Sequence, residues 1–516
     1  MAFNTWLFVA FFLPLTLLGF GLLSRREKPM WVKLWLIAAS LVFYGWMDPP
    51  AIGVLFGSVI FNFALGRQLR RQRESCPISR KALLTVGITI NLALLGYAKY
   101  RNFFLDNLGL ASDPFDQLLS WVVPLGLSFL TFQQIAYLVD VYRDVPEPES
   151  LLDYSLFMTF FPKLLAGPII RRGEFIPQLG LPSFGTISAF SLAEGITLFV
   201  IGLAKKVVLA DSLGPFVDSI FDDALAGTAI SCWQAWGGML AYTFQLYFDF
   251  SGYTDMAIGI ALMFGLCLPA NFNLPYTASS IREFWRRWHM TFSRFLRDYL
   301  YIPMGGSRLG PGRTAVNLLL TMLLGGLWHG AGWTFLVWGA LHGFYLVINH
   351  AWGRLGFHLP RFPAWLLTFL GVSYSWLWFR ADSVAAAGRM SHALLDPSNP
   401  FPNGLVQFLS GLQPSTEYAN DAALSHVLGF SMTLAGTEVY PWNIMLSEPV
   451  LMSAWLAFAG LIAFWLPNPV ERSAPDIRPT SAPLGFRGAF VVGILAYLVL
   501  VCSISADRAG FVYSQF

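Results

Sequence analysis

Charge is scarce in this chain. Only 12% of its 516 residues are Asp, Glu, Lys or Arg, about half the share with which a soluble domain covers itself, and that excludes a water-exposed surface of this size. Cysteine is scarcer still. Cys76, Cys232, Cys267 and Cys502 lie far apart and form no CxxC pair, which speaks against a disulfide framework or a cysteine metal site and leaves free thiols as the expectation. The formal net charge is only +3, and the basic residues sit in short loops rather than in a tail or stripe. Nucleic-acid binding therefore lacks its electrostatic footprint.

Apolar side chains are abundant instead: 55% of residues are hydrophobic and 16% aromatic. They come in blocks, several of them approaching the roughly 20 residues that a helix needs to cross a hydrocarbon core. The blocks fall near 6–23, 31–46, 51–66, 82–98, 117–138, 152–170, 187–210, 236–264, 315–328, 332–350, 363–380, 449–467 and 488–505. This pattern predicts an all-α polytopic membrane protein, a single domain over 1–516 with 11–13 transmembrane or re-entrant helices. The first block, MAFNTWLFVAFFLPLTLLGFGLL, has no basic leader or small-residue cleavage site and is followed by Arg25, Arg26 and Lys28, so a retained helix is expected.

The loop GRQLRRQRESCPISRK at 66–81 carries Arg67, Arg70, Arg71, Arg73, Arg80 and Lys81 against Glu74, and the positive-inside rule assigns it to the cytoplasm. Counting spans from there puts the Arg25 loop inside and MDPP at 47–50 outside. The Arg excess of 471–487 is likewise inside, which leaves both termini outside. The polar stretch 382–446 is then an external loop longer than most connections.

Residues 281–303, IREFWRRWHMTFSRFLRDYLYIP, follow a different rule. Ile281, Phe284, Trp285, Trp288, Phe292, Phe295 and Tyr299 recur at helical spacing, while Arg282, Arg286, Arg294 and Arg297 lie off that face. The expectation is an amphipathic helix lying along the membrane interface, its arginines directed at headgroups or an anionic ligand.

Ionisable residues within apolar segments are costly, so they face a bundle interior, a partner or a watery cavity. Asp140, Lys163, Lys205, Lys206, Asp249 and Asp255 are of this kind. Each alone fits an ion pair or a snorkelling lysine; together they indicate a polar interior. His329 stands in LLLTMLLGGLWHGAGWTFLVWG among Gly325, Gly326, Gly330 and Gly332. Four glycines weaken a helix at that depth, and irregular backbone there lines a cavity or is buried by protein. A neutral imidazole in such a place is suited to act as a general base, although a hydrogen-bonded packing histidine fits the residues equally well. His289, beside Arg282, Arg286 and Ser293, is the second candidate, and together the two would also suit a proton relay. His342, His350, His358, His392 and His426 are assigned structural roles, and no metal site is expected because the HxxxH spacing is missing.

At this point the strings PLGLSFLTFQQIAYLVDVYR (124–143), FFPKLLAGPIIR (160–171), YFDFSGYTDMAIG (247–259), NFNLPY (271–276), SIREFWRRWHMTFSRFLRDYLYIPMGG (280–306) and LTMLLGGLWHGAGWTFLVWGALHG (320–343) identify a resemblance. The chain resembles the membrane-bound O-acyltransferase family, in particular its bacterial polysaccharide-acetylating branch, with a core at about 120–350. The resemblance implies catalysis by His329, the histidine of the WHG motif, and a second recurring histidine at His289. It further implies a central tunnel, a thioester donor with acetyl-CoA as the expected source, no tightly bound cofactor, and a hydroxyl acceptor on the far side. It also implies a bacterial inner membrane with periplasmic termini and a periplasmic esterase-like partner serving an exported polysaccharide such as alginate. Arg282, Arg286 and Arg294 are then candidates for the coenzyme A phosphates. Cellulose, peptidoglycan or teichoic acid, the last by D-alanylation, are alternative acceptors within the family. Outside it, a proton-coupled transporter using His329, Asp249 and Asp255 is the competing reading, and the internal repeats that would favour it are not visible.

Overall fold

The computed structural model describes residues 1–25, 28–71, 77–109, 126–143, 149–182, 184–400, 432–434, 437–439, 449–465 and 491–499. Cys76, Cys502, His426, the start of the expected 117–138 span and the Arg-rich 471–487 segment lie outside these residues, as does most of the 382–446 stretch.

Among the described residues the protein is a bundle of helices. A π-turn, Phe8–Phe12, leads into α1 (Leu13–Ser24), followed by α2 (Pro29–Gly45), α3 (Ala51–Arg71) and α4 (Pro77–Leu95). A second π-turn, Gly96–Tyr100, joins α4 to α5 (Arg101–Asn107). Next come α6 (Leu127–Tyr142) and α7 (Leu151–Thr159). Then α8 (Ala189–Ala204) passes through the π-turn Lys205–Ala210 into α9 (Asp211–Ala226), ahead of the long α10 (Cys232–Met263). The later helices are α11 (Ile281–Arg287), α12 (Met290–Leu296), α13 (Pro311–His329), α14 (Trp333–Leu355), α15 (Arg361–Arg380), α16 (Val384–Ala393) and α17 (Pro449–Trp465). A short antiparallel pair, β1 (Met432–Leu434) and β2 (Thr437–Val439), lies in the stretch expected to be a loop.

The bundle exposes apolar side chains on its outer surface and buries polar groups within a mainly hydrophobic core. On α1, Leu15, Leu18 and Leu22 form an exposed stripe, and α13 and α14 expose Leu320, Leu324, Phe344 and Ile348. Inside, Asn62 and Asn91 exchange amide hydrogen bonds, Ser58 donates to Gln134, and Lys163 donates to Gln133. Such bonds let side chains that are expensive in lipid join helices. By length and apolarity alone, two segments among the described residues qualify as spans, Ala51–Arg71 and Ser79–Asn107. Other blocks fall short because they are shorter, interrupted, or loaded with interior polar groups.

Several boundaries differ from the sequence expectation. The 152–170 block breaks at Phe160, where ψ is 108°, because Pro162 follows two residues later and cannot continue a hydrogen-bonded helix. The 187–210 block runs on into α9, since the π-turn redirects the helix without ending it. The 382–446 loop begins with α16, which Ser383 caps by accepting from the Ala386 amide and which packs on α9 and α10.

Helices α8 and α10 touch at backbone level, and Gly195 and Gly202 are required there. A Cβ on either would sit 2.5 Å from the carbonyl oxygen of Gly259 or Gly252. Beside this seam Lys205 pairs with Asp255 at 2.6 Å, and Lys206 pairs with Asp211 and Asp249 at 2.6 and 2.7 Å. The interior carboxylates of α10 are thus ion-paired across the helix crossing.

One face of the bundle gathers its charged groups. Lys33 at the start of α2 pairs with Asp153, Arg70 at the end of α3 and Arg172 both pair with Glu149, and Arg80 donates to the Tyr142 carbonyl. Arg171 pairs with Asp298, and Arg294 with Glu174, on the same face. The basic loop, the end of α6 and the far end of α12 therefore share one side.

Candidate active site

The 281–303 segment is two helices, not one. Trp288 is extended and His289 adopts the left-handed conformation, φ 42° and ψ 54°, so α11 ends and α12 starts afresh. A non-glycine residue occupies that region only when its surroundings hold it there. Here Asn271 does so. Its backbone carbonyl accepts from the Met290 amide at 2.9 Å, and its side-chain oxygen accepts from the Thr291 amide and hydroxyl at 3.2 and 2.9 Å. The aromatic face predicted for the interface turns inward: Phe284, Trp285, Trp288, Phe292 and Phe295 are buried in the protein. Helical spacing reports a covered face without saying what covers it.

His289 is fully buried, its ring edge-on to Phe250 at 4.8 Å and stacked on Phe292 at 4.9 Å. Its Nδ1 lies 3.1 Å from the Asn271 side-chain oxygen. That oxygen already accepts from Thr291 and has no proton to give, so Nδ1 must donate. In the neutral ring this tautomer leaves Nε2 as the proton-accepting nitrogen.

His329 is the last residue of α13 and is 5% exposed. The helix runs unbroken through Gly325 and Gly326, contrary to the expectation that the glycines weaken it; the turn comes after His329, at Gly330 to Gly332. The glycines serve close packing instead. A Cβ on Gly326 would meet the Phe335 carbonyl oxygen at 2.3 Å, and one on Gly339 the Met322 carbonyl oxygen at 2.5 Å. Helices α13 and α14 thus form a hairpin with touching backbones, and His329 sits at its tip.

Aromatic rings enclose His329: Trp328 at 4.8 Å, Trp338 at 5.0 Å, Phe379 at 5.2 Å and Phe292 at 5.3 Å between centroids. Phe292 touches both His289 and His329, so the structure brings the two sequence candidates to one aromatic wall. His342 extends the row, fully buried and 4.8 Å from Trp338. Phe129, which faces His289, lies 13 residues before Tyr142 on α6, roughly 20 Å along the axis from the charged face.

Three neighbours escaped the sequence reading. Lys99 donates to the carbonyls of Trp328 and His329, both at 2.8 Å, and the Tyr100 hydroxyl donates to the Leu327 carbonyl at 2.5 Å. An amine and a hydroxyl thereby satisfy carbonyls that a helix C-terminus leaves open. Lys99 closes an apolar block and so reads in sequence as an interfacial lysine. Asn271, the third, stands within NFNLPY, and its reach across to His289 follows only from the fold.

The arginines are not equivalent. Arg282 and Arg286 are exposed on α11, whereas Arg294 belongs to α12 and its guanidinium grips Glu174 through both terminal nitrogens. Cys232 and Cys267 are free thiols, partly buried.

A helical bundle with an apolar exterior is the architecture of an integral membrane protein, and this one buries His329 at a hairpin tip with His289 on the same aromatic wall. Residues 141–377 match the model of the MBOAT, membrane-bound O-acyltransferase, family. The peptidoglycan O-acetyltransferase of Helicobacter pylori is 42% identical over 417 residues, covering 75% of this chain and 78% of that protein. The probable alginate O-acetylase AlgI of Azotobacter vinelandii is 42% identical over 406 residues, covering 76% and 78%. The teichoic acid D-alanyltransferase of Streptococcus thermophilus is 30% identical over 239 residues, covering 45% and 57%. The chain belongs to the membrane-bound O-acyltransferase family, and it is an acyltransferase.

Proposed function

We propose that the protein is an O-acetyltransferase of a bacterial inner membrane that moves acetyl groups from cytoplasmic acetyl-CoA to a hydroxyl acceptor on the periplasmic side, serving an exported polysaccharide. The observation that carries this reading is the placement of His329: almost fully buried, at a hairpin tip, in one aromatic enclosure with His289, whose neighbour Phe129 lies roughly 20 Å along α6 from the charged face. By the positive-inside rule that face is cytoplasmic, which makes both termini periplasmic. Donor and acceptor then approach His329 from opposite sides.

In this mechanism His329 takes the acceptor hydroxyl's proton as its oxygen attacks the thioester carbonyl, assistance typically contributing about 10² to 10⁴ in rate. The His289 tautomer, with Nε2 as acceptor, supports a role for it in holding or relaying that proton. Arg282 and Arg286, exposed and without a carboxylate partner among the described residues, suit the coenzyme A phosphates better than Arg294, which Glu174 neutralises. A tunnel between the two faces and a periplasmic esterase-like partner complete the pathway.

The relatives support two acceptors, an alginate-type polymer and peptidoglycan, and alginate-type exopolysaccharide is the first reading. The test compares wild type with His329→Ala in cells producing both polymers, after confirming equal membrane expression. Ester-linked acetate should vanish from the exopolysaccharide in the variant. Its loss only from the glycan fraction would select peptidoglycan, and wild-type acetate in both would remove His329 from the reaction.

A further inference from the structure

The reaction needs a group to receive the negative charge that builds on the thioester oxygen, and two N–H groups close to His329 are otherwise engaged. The Gly330 amide donates back to the Gly326 carbonyl, and His289 spends its only proton on Asn271. Two other N–H groups beside His329 have no acceptor. The Trp285 indole donates to His342 Nδ1 at 3.3 Å, so the neutral His342 ring carries its proton on Nε2, and that nitrogen is fully buried without a partner. The Trp338 indole nitrogen is likewise fully buried without a partner. The two residues sit one turn apart on α14, with ring centroids 4.8 Å from each other, and the Trp338 ring is 5.0 Å from His329.

Leaving a buried donor unmet costs about 1–3 kcal/mol, and two in one place beside the proposed base point to an acceptor that arrives with the substrate. We propose that Trp338 Nε1–H and His342 Nε2–H form the oxyanion site of the transferase. This assignment rests on the acyl-transfer reading above. As the acceptor oxygen bonds to the thioester carbon, its proton passes to His329 and the carbonyl electron pair moves onto the oxygen, where the two N–H groups stabilise it. When the carbonyl re-forms, the C–S bond breaks and the departing thiolate takes the proton from His329. His342 lies ten residues into α14 from its start near the hairpin tip, deeper than His329 and hence on the donor side, where a thioester carbonyl would rest. Trp285 acts through His342 as a positioning residue that fixes the tautomer.

The test uses the full-length protein in lipid nanodiscs, with acetyl-CoA as donor, an alginate oligosaccharide as hydroxyl acceptor and thiol release as readout. Trp338→Phe and His342→Met remove the donors; His342→Gln restores an N–H. 3-Benzothienylalanine at position 338 keeps the indole shape but lacks the N–H, so the question stands even where Trp338→Phe fails to fold. Each deletion is expected to lower kcat by about 10²- to 10³-fold with KM within a few-fold, and His342→Gln should recover part of the loss. Wild-type kcat in the benzothienyl and His342→Met proteins would overturn the proposal, because the developing charge would then be stabilised by other groups. A rise in KM with unchanged kcat would overturn it too, making them binding contacts alone. Failure of the underlying reading looks different: wild-type protein would release no thiol, or His329→Ala would release it normally.

Discussion

Gly326→Ala adds one methyl group at the closest point of the α13–α14 hairpin. Its Cβ would stand 2.3 Å from the Phe335 carbonyl oxygen and 3.2 Å from the Gly339 Cα and N, all backbone atoms that cannot swing aside. Ordinary contact begins near 3.4 Å, so the helices must separate by about 1 Å. His329 is three residues beyond, on the same rigid helix, and moves with it. A displacement of that size from a productive geometry costs about 10²-fold in rate, while overpacking destabilises by roughly 1–3 kcal/mol. The neighbouring Gly325→Ala is the control: its Cβ meets only side-chain ends, Leu296 Cδ1 at 3.3 Å and Phe292 Cζ at 3.6 Å, and Ala favours the helix by up to about 1 kcal/mol over Gly. Thiol release from acetyl-CoA by the two proteins in nanodiscs, with their thermal midpoints, checks this. Gly326→Ala turning over like wild type, or Gly325→Ala falling as far, would refute the claim that backbone contact at Gly326 sets the position of His329.

Further predictions concern the groups around the site and the charged face. Lys99→Met strips two hydrogen bonds from the final turn of α13, each contributing about 0.5–1.5 kcal/mol; kcat should fall about 10-fold with KM held, and Lys99→Gln should retain more activity in the same assay. Asn271→Leu removes the acceptor that fixes the His289 tautomer and should depress kcat and alter its pH profile, whereas Asn271→Asp keeps an acceptor and should retain more of both. Burial opposes ionisation of Glu149, but the Tyr137 hydroxyl, Arg172 and Arg70 outweigh it and hold the carboxyl below its ordinary value of 4.5. Its stabilisation is therefore complete above about pH 4.5 and lost as pH falls through the lower folded value. Glu149→Gln should lower the thermal midpoint at neutral pH, by about 3–5 kcal/mol of stability, and flatten the acid-side decline seen in wild type.

Much of the architecture was legible because lipid imposes a simple rule on sequence: apolar blocks of sufficient length become helices. His329 stood out for the same reason, as an ionisable ring within such a block. The errors arose where one pattern has two physical causes. The glycines beside His329 signalled a weakened helix, yet Gly326 and Gly339 exist so that two backbones can touch. The periodic rings of 281–303 signalled an interfacial helix, yet they are covered by protein and the helix breaks at His289. Lys99 and Asn271 carried no local signal, since each acts on a segment distant in the chain. His342 was assigned to packing because nothing near it in sequence marks it, and its unpartnered nitrogen exists only through Trp285.

By itself the sequence determined the environment, the helical class, the basic loop at 66–81 and the chemical identity of the residues able to move a proton, because each depends on composition and short-range periodicity. The tertiary structure decided which of those residues meet. The glycine contacts of α13 and α14 set the place of His329, the left-handed turn held by Asn271 brings His289 to the same aromatic wall, and the Trp285 indole dictates which nitrogen of His342 carries its proton. Those are relations between segments up to 57 residues apart in the chain, and hydrogen-bond direction and close packing exist only once the segments have come together.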